Sequence, residues 1–180
     1  MIYNLLPPDN PILRIPLSEI NFDNFEEVFH ITPNKLYEDL VSTMNHYKGI
    51  GLSANQCGLM IRAFVMFTDL DMKDHKIFFN PKITSLSGKD VDYEEGCLTY
   101  PNLFIKIKRP FTVEFSYQDE RGDKHNEKYT GLTSRIFQHE YDHMEGKNFT
   151  QLVSPLKRDI AKRKAVKQLK KSEYNARNTR

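Results

Sequence analysis

The chain has 180 residues, 26 Lys and Arg against 24 Asp and Glu, and a formal net charge of +2. That length suits a single domain with a sizeable core, and so small a charge gives no reason to expect the whole chain to bind nucleic acid. Two cysteines and no apolar N-terminal run point to a cytoplasmic, reducing setting without a disulfide scaffold, and no stretch approaches the roughly 20 apolar residues of a membrane span.

Thr32-Pro33 predicts a helix start, an N-cap hydroxyl followed by proline at the first helical position. Leu36, Leu40, Val41 and Met44 form its apolar stripe, and Gly49 is expected to end it. Strands are predicted over 62–67, 76–84 and 103–108. Phe111, Val113, Phe115 and Tyr117 alternate with Thr112, Glu114, Ser116 and Gln118 in a further, half-buried strand. The polar run 119–123 turns the chain toward a strand over 125–129. A second helix is expected from Thr130-Gly131 to a left-handed stop at Gly146, with Leu132, Ile136, Phe137, Tyr141 and Met144 buried.

That second helix carries Gln138-His139-Glu140-Tyr141-Asp142-His143. Residues four apart on a helix share a face, so both imidazoles reach one metal ion, and Glu140 sits beside it as a proton carrier. A surface helix with two chance histidines is the plain alternative. A catalytic site of this kind usually needs a third ligand and an open position for water. Downstream, the third-ligand position of the extended metzincin pattern is Phe149, and the acidic residues after His143 are Glu145, Asp159 and Glu173, the last two in a basic tail. The ligand is therefore sought upstream, where Cys97 in Glu94-Glu95-Gly96-Cys97-Leu98-Thr99 offers a thiolate. A lone cysteine otherwise reads as a small buried hydrophobe.

With these residues in view the chain resembles the peptide deformylases, whose signatures have the forms GφGφxAxQ, EGCφS and QHExDHφxG, φ being apolar. Here they read Gly49-Ile50-Gly51-Leu52-Ser53-Ala54-Asn55-Gln56, Glu95-Gly96-Cys97-Leu98-Thr99 and Gln138 through Gly146, in that order. The likeness covers roughly residues 3–155. Ser53, Cys57, Thr99 and Met144 stand where Ala, an apolar residue, Ser and Leu are usual; none removes a proposed ligand or proton-transfer group.

The resemblance implies a hydrolase that removes formyl from the N-terminal methionine of newly made polypeptides. It implies Cys97, His139 and His143 as ligands of one divalent metal, ferrous iron first, with zinc, nickel or cobalt also accommodated. Glu140 would be general base and then acid for an activated water, and Gln56 and the Leu98 N–H would donate to the oxyanion. Ile50, Gly51, Leu52, Glu95, Gly96, Leu132, Arg135 and Ile136 would bind substrate. Glu95 and Arg109 match a pair that braces the metal loop, and Gln138 supports it. Tyr93, Tyr100 and Phe104 suit either a substrate groove or the core, and His30, His46, His75 and His125 have no site spacing. A Cys57–Cys97 disulfide would destroy the site.

The expected fold is α+β: mixed or antiparallel strands around a central metal-binding helix, with an N-terminal long helix and a C-terminal basic helix. A catalytic domain is expected over 1–156 in a monomer, and a basic, helical tail over 157–180. Lys157, Arg158, Lys162, Arg163, Lys164, Lys167, Lys170 and Lys171 suit contact with ribosomal RNA phosphates as well as a plain solvated helix. Two rival readings are an HExxH endopeptidase and a catalytically silent relative that binds at the ribosome.

Overall fold

The computed structural model describes the backbone of residues 1–69 and 71–178 and the side chains of those stretches up to residue 169, so Lys170 and Lys171 of the expected basic run lie outside the described side chains. The elements in chain order are α1 (Phe25–Phe29), α2 (Pro33–His46), β1 (Gly51–Ser53), β2 (Ala63–Phe67), β3 (His75–Cys97), β4 (Tyr100–Gln118), β5 (Lys124–Thr130), α3 (Gly131–Met144) and α4 (Pro155–Asn178). Among the described residues every strand pair is antiparallel and the sheet order is β1-β2-β3-β4-β5, which favours the antiparallel alternative over the mixed one. Among the described residues no helix is long and apolar enough to cross a membrane.

α2 begins as expected: Thr32 Oγ1 accepts the Lys35 N–H at 3.1 Å and Pro33 opens the helix. Its stop differs, because the left-handed residue is Lys48 (φ 57°), not Gly49. Gly49 is required for space instead, since a Cβ there would lie 2.7 Å from Leu98 Cδ1. β2 is apolar throughout because both faces of the sheet are covered. Ala63 and Val65 pack toward α2 with Leu36, Leu40 and Met44; Phe64 and Met66 pack toward α3 with Phe78, Phe115 and Phe137.

The expected strands 103–108 and 111–118 are one strand, β4, and 76–84 is only the start of the 23-residue β3. The two make a long hairpin whose tip is the two-residue turn Leu98-Thr99, with Cys97 opposite Tyr100. Register shifts along it mark bulges that bend the hairpin, and its far half meets α3, where Arg135 bonds the Ile107 and Val91 carbonyls. One shift lies between Ser87 and Asp90, and there Phe111 leaves the expected inward face and is 45% exposed. Beyond the bend Leu103, Ile105 and Ile107 again face inward, against Phe149 and against Ala165 of α4.

Candidate active site

α3 lies at the centre, with Ser134 through Glu140, His143 and Met144 buried. Gly146 ends it at φ 64°, and a Cβ there would lie 2.6 Å from the Arg14 carbonyl oxygen. The helix brings His139 and His143 to one face, and the hairpin tip delivers Cys97 to them. One ligand atom from each of Cys97, His139 and His143 lies within 4.8 Å of the others, and Cys97 Sγ is 3.4 Å from His143 Nε2. Two ligands bonded at about 2.3 Å (sulfur) and about 2.1 Å (nitrogen) around a tetrahedral ion stand about 3.6 Å apart, so this donor set fits a divalent metal. Both cysteines are free thiols.

Glu95 organises this cluster. Its Oε2 accepts the His139 Nδ1 proton at 3.0 Å, turning the opposite ring nitrogen toward the centre. The same carboxylate accepts Arg109 Nε at 2.6 Å and Nη2 at 2.9 Å, and Arg135 Nη1 at 2.6 Å. Burial works to raise the Glu95 carboxyl, but His139 and Arg109 outweigh it and hold it at about 2. For His139 burial works downward, yet Cys97 and Glu95 lift it well above an ordinary histidine. Burial keeps His143 neutral, the ligand form, with the positive charge of His139 and Arg109 adding to the effect. Arg109 also pairs with Asp142 at 2.9 Å, and Asn55 donates to the His143 carbonyl at 2.9 Å.

Glu140 is 4% exposed, and burial raises its carboxyl while the charge of His139 and a hydrogen bond from Ser53 pull it back. Ser53 Oγ donates to Glu140 Oε2 at 2.6 Å. Gln56 accepts the Ser53 N–H at 2.9 Å through Oε1, so its amide nitrogen turns to Cys97 Sγ (3.3 Å) and Thr99 Oγ1 (3.0 Å).

A cavity of about 530 Å³ opens onto this centre, lined by Cys97, Leu98, Gln56, His139 and Glu140. Ile50, Gly51, Glu95, Gly96, Leu132, Arg135 and Ile136 also line it, as do Tyr100 and Phe104. Leu52 does not line the cavity. The pleat of β1 turns its side chain away from the cavity into the core beside α2, where it is fully buried. Arg135 meets the cavity, but its guanidinium is bound to Glu95 and to the carbonyls of Ile107 (3.1 Å) and Val91 (2.5 Å). Ser53, Asn55, Thr99 and Asp142 also brace the centre; all four lie inside the three motifs, and that placement is the only signal the sequence offers for them.

A helix-borne histidine pair, a thiol beside a hairpin tip and a buried carboxylate at a cavity wall form a candidate metal site of the kind that metal-dependent hydrolases use. A sequence model described as polypeptide deformylase matches residues 2–159. The peptide deformylase of Cytophaga hutchinsonii is 34% identical over 170 residues, covering 91% of this chain and 89% of its own. That of Psychrobacter cryohalolentis is 39% identical over 135 residues, covering 75% and 73%. The crystal structure of a peptide deformylase from Legionella pneumophila aligns with a TM-score of 0.79 at 31% identity, covering 96% of this chain and 98% of that one. One from Synechococcus elongatus in complex with actinonin aligns at 0.77 and 30% identity, covering 91% and 85%. The chain belongs to the peptide deformylase family, and its activity is removal of the formyl group from N-terminal formylmethionine.

Proposed function

We propose that Cys97, His139 and His143 hold one divalent ion, that Glu140 moves the protons of the reaction, and that Gln56 and the Leu98 N–H receive the developing oxyanion. The observation that carries this reading is the convergence of the three donor atoms within 4.8 Å of one another beside a buried carboxylate. When bound, the ion supplies Lewis-acid polarisation and brings the pKa of water from about 15.7 toward about 7. Ferrous iron is the metal the family resemblance favours, and the Cys/His/His set also suits zinc, nickel and cobalt.

Glu140 takes a proton from the attacking water and returns it to the leaving amine, one group acting as base and then acid. Its raised carboxyl suits both halves of that task. The Gln56 carbonyl is fixed by the Ser53 N–H, so its amide nitrogen lies at the centre, 3.3 Å from Cys97 Sγ and 3.0 Å from Thr99 Oγ1, and an oxyanion there takes over one of its N–H donors, worth about 2.7–4 kcal/mol. Ile50, Leu132 and Ile136 take the methionine side chain, with Gly96 and the walls of Glu95 and Arg135 around them. The peptide main chain adds as a strand beside Gly51-Leu52, since β1 is the edge of the sheet; Leu52 contributes main chain alone.

The substrates in this reading are formylated nascent chains, met in the reducing compartment where they are made. The lysines and arginines of α4 contact the ribosome, and the enzyme works as a monomer. Deleting residues 157–180 is expected to weaken salt-sensitive co-sedimentation with ribosomes. The roles are tested by anaerobic purification, metal analysis and formate release from a formyl-Met peptide. One metal per chain, with activity proportional to loading, is expected; full activity of the metal-free protein overturns the assignment.

A further inference from the structure

We infer that Ser53 is a positioning residue of the deformylation reaction. Its hydroxyl anchors one oxygen of Glu140 so that the other faces the metal centre, while its main-chain N–H orients Gln56. The inference rests on the proton-carrying role proposed for Glu140. A glutamate's terminal torsion is broad, so the carboxylate plane is set by what surrounds it. Here it is pinned. Ser53 is fully buried, and its hydroxyl lies 2.6 Å from Glu140 Oε2 and 3.5 Å from the Glu140 carbonyl oxygen. A hydroxyl has one proton to give, and the shorter contact takes it.

The other oxygen, Oε1, lies over Gly51, where a Cβ would stand only 2.5 Å from it. Gly51 and Ser53 are two apart on β1 and so share a face, with register partners Met66 and Phe64 that also pack toward α3. One short strand thus supplies both the room for the carboxylate and the bond that sets its rotation. The Ser53 N–H donates to Gln56 Oε1 at 2.9 Å, so a single residue holds the proton carrier and the oxyanion donor in register. A hydroxyl present only to satisfy a buried polar atom would leave turnover untouched.

The test compares the metal-loaded parent with Ser53→Ala, Glu140→Gln and the double variant, reading formate release against peptide concentration together with metal content. Ser53→Ala is expected to lower kcat on the order of tenfold, at unchanged KM and metal stoichiometry, as a misoriented catalytic group does. It is expected to cost nothing further in the Glu140→Gln background. Parental kcat in Ser53→Ala, or the same fractional loss in both backgrounds, overturns the inference. Should Ser53→Ala fail to fold, the near-isosteric pair Ser53→Thr and Ser53→Val decides: higher kcat for Thr supports the inference and equal values overturn it. Full activity of Glu140→Gln would remove the proton-carrier role itself. An inactive Glu140→Gln beside a fully active Ser53→Ala would remove only the role of Ser53.

Discussion

Gly51→Ala separates folding from catalysis at a single methyl group. The added Cβ would stand 2.5 Å from Glu140 Oε1, 2.9 Å from Cδ and 3.0 Å from Cγ. Ordinary contact begins near 3.4 Å, so the carboxylate must retreat by about 0.9 Å. Glycine is not needed for the backbone, because Gly51 is not among the positive-φ residues. The movement falls on a side chain rather than on main chain, so the stability cost is at the low end for overpacking, about 1 kcal/mol. The catalytic cost is larger: a misplacement near 1 Å costs about a hundredfold, or roughly 2.7 kcal/mol of transition-state stabilisation. Initial rates of formate release, metal analysis and a denaturant midpoint on one preparation measure all three quantities. A kcat within threefold of the parent at full metal loading would refute the claim that Glu140 works from the slot over Gly51.

Arg135→Met removes a guanidinium from Glu95 and from the carbonyls of Val91 and Ile107, and is expected to weaken metal affinity about 10- to 100-fold in a chelator competition at unchanged KM. A raised KM with parental metal affinity would make Arg135 a substrate contact instead. The folded-state carboxyl of Glu95 is held at about 2 against an ordinary 4.5, so its contribution to stability is complete above pH 4.5 and is lost as pH falls toward 2. Urea midpoints of the metal-free protein should fall across that window, and Glu95→Gln should remove part of the slope. Burial pushes the Cys57 thiol up to about 12, so iodoacetamide at pH 8 should leave Cys57 unlabelled in the folded protein. Gly146→Ala should cost more than about 1 kcal/mol by thermal unfolding, because it meets both a left-handed φ and the Arg14 carbonyl.

The helices were legible because their signals are local. Thr32 caps α2 and Pro33 opens it, and the stripe of Leu36, Leu40 and Met44 is fully buried. The candidate metal cluster was legible because a helix turn fixes His139 against His143 and two imidazoles leave a catalytic site one donor short, which Cys97 can supply. The long hairpin was not. Residues 85–94 of β3 are exposed and carry Ser, Gly, Lys and Asp between Leu86, Val91 and Tyr93, so no apolar alternation marks them as strand. Cross-strand pairing with β4 makes them one, and that pairing is a non-local fact. The inward turn of the Arg135 guanidinium was equally hidden, since Glu95 lies forty residues away in sequence and meets it only through the hairpin bend.

β1 is three residues long, too short for any periodicity count, yet its sequence context carries a pattern that the structure explains. Gly49, Gly51 and Ser53 are small and recur every second residue, while Ile50 and Leu52 between them are large. Within β1 the pleat puts Gly51 and Ser53 on one face and Leu52 on the other, while Gly49 and Ile50 precede the strand. Gly49 meets Leu98 of the hairpin tip, Gly51 meets the Glu140 carboxylate, and Ser53 bonds that same carboxylate. Leu52, on the opposite face, ties the segment to the core under α2. The small residues are therefore the imprint of two neighbours, the hairpin tip pressed against Gly49 and the helix carrying Glu140 pressed against Gly51 and Ser53. A methyl at Gly49 would meet Leu98 beside Cys97 and one at Gly51 would meet the Glu140 carboxylate, so both positions bear on the centre although neither offers a side chain to it.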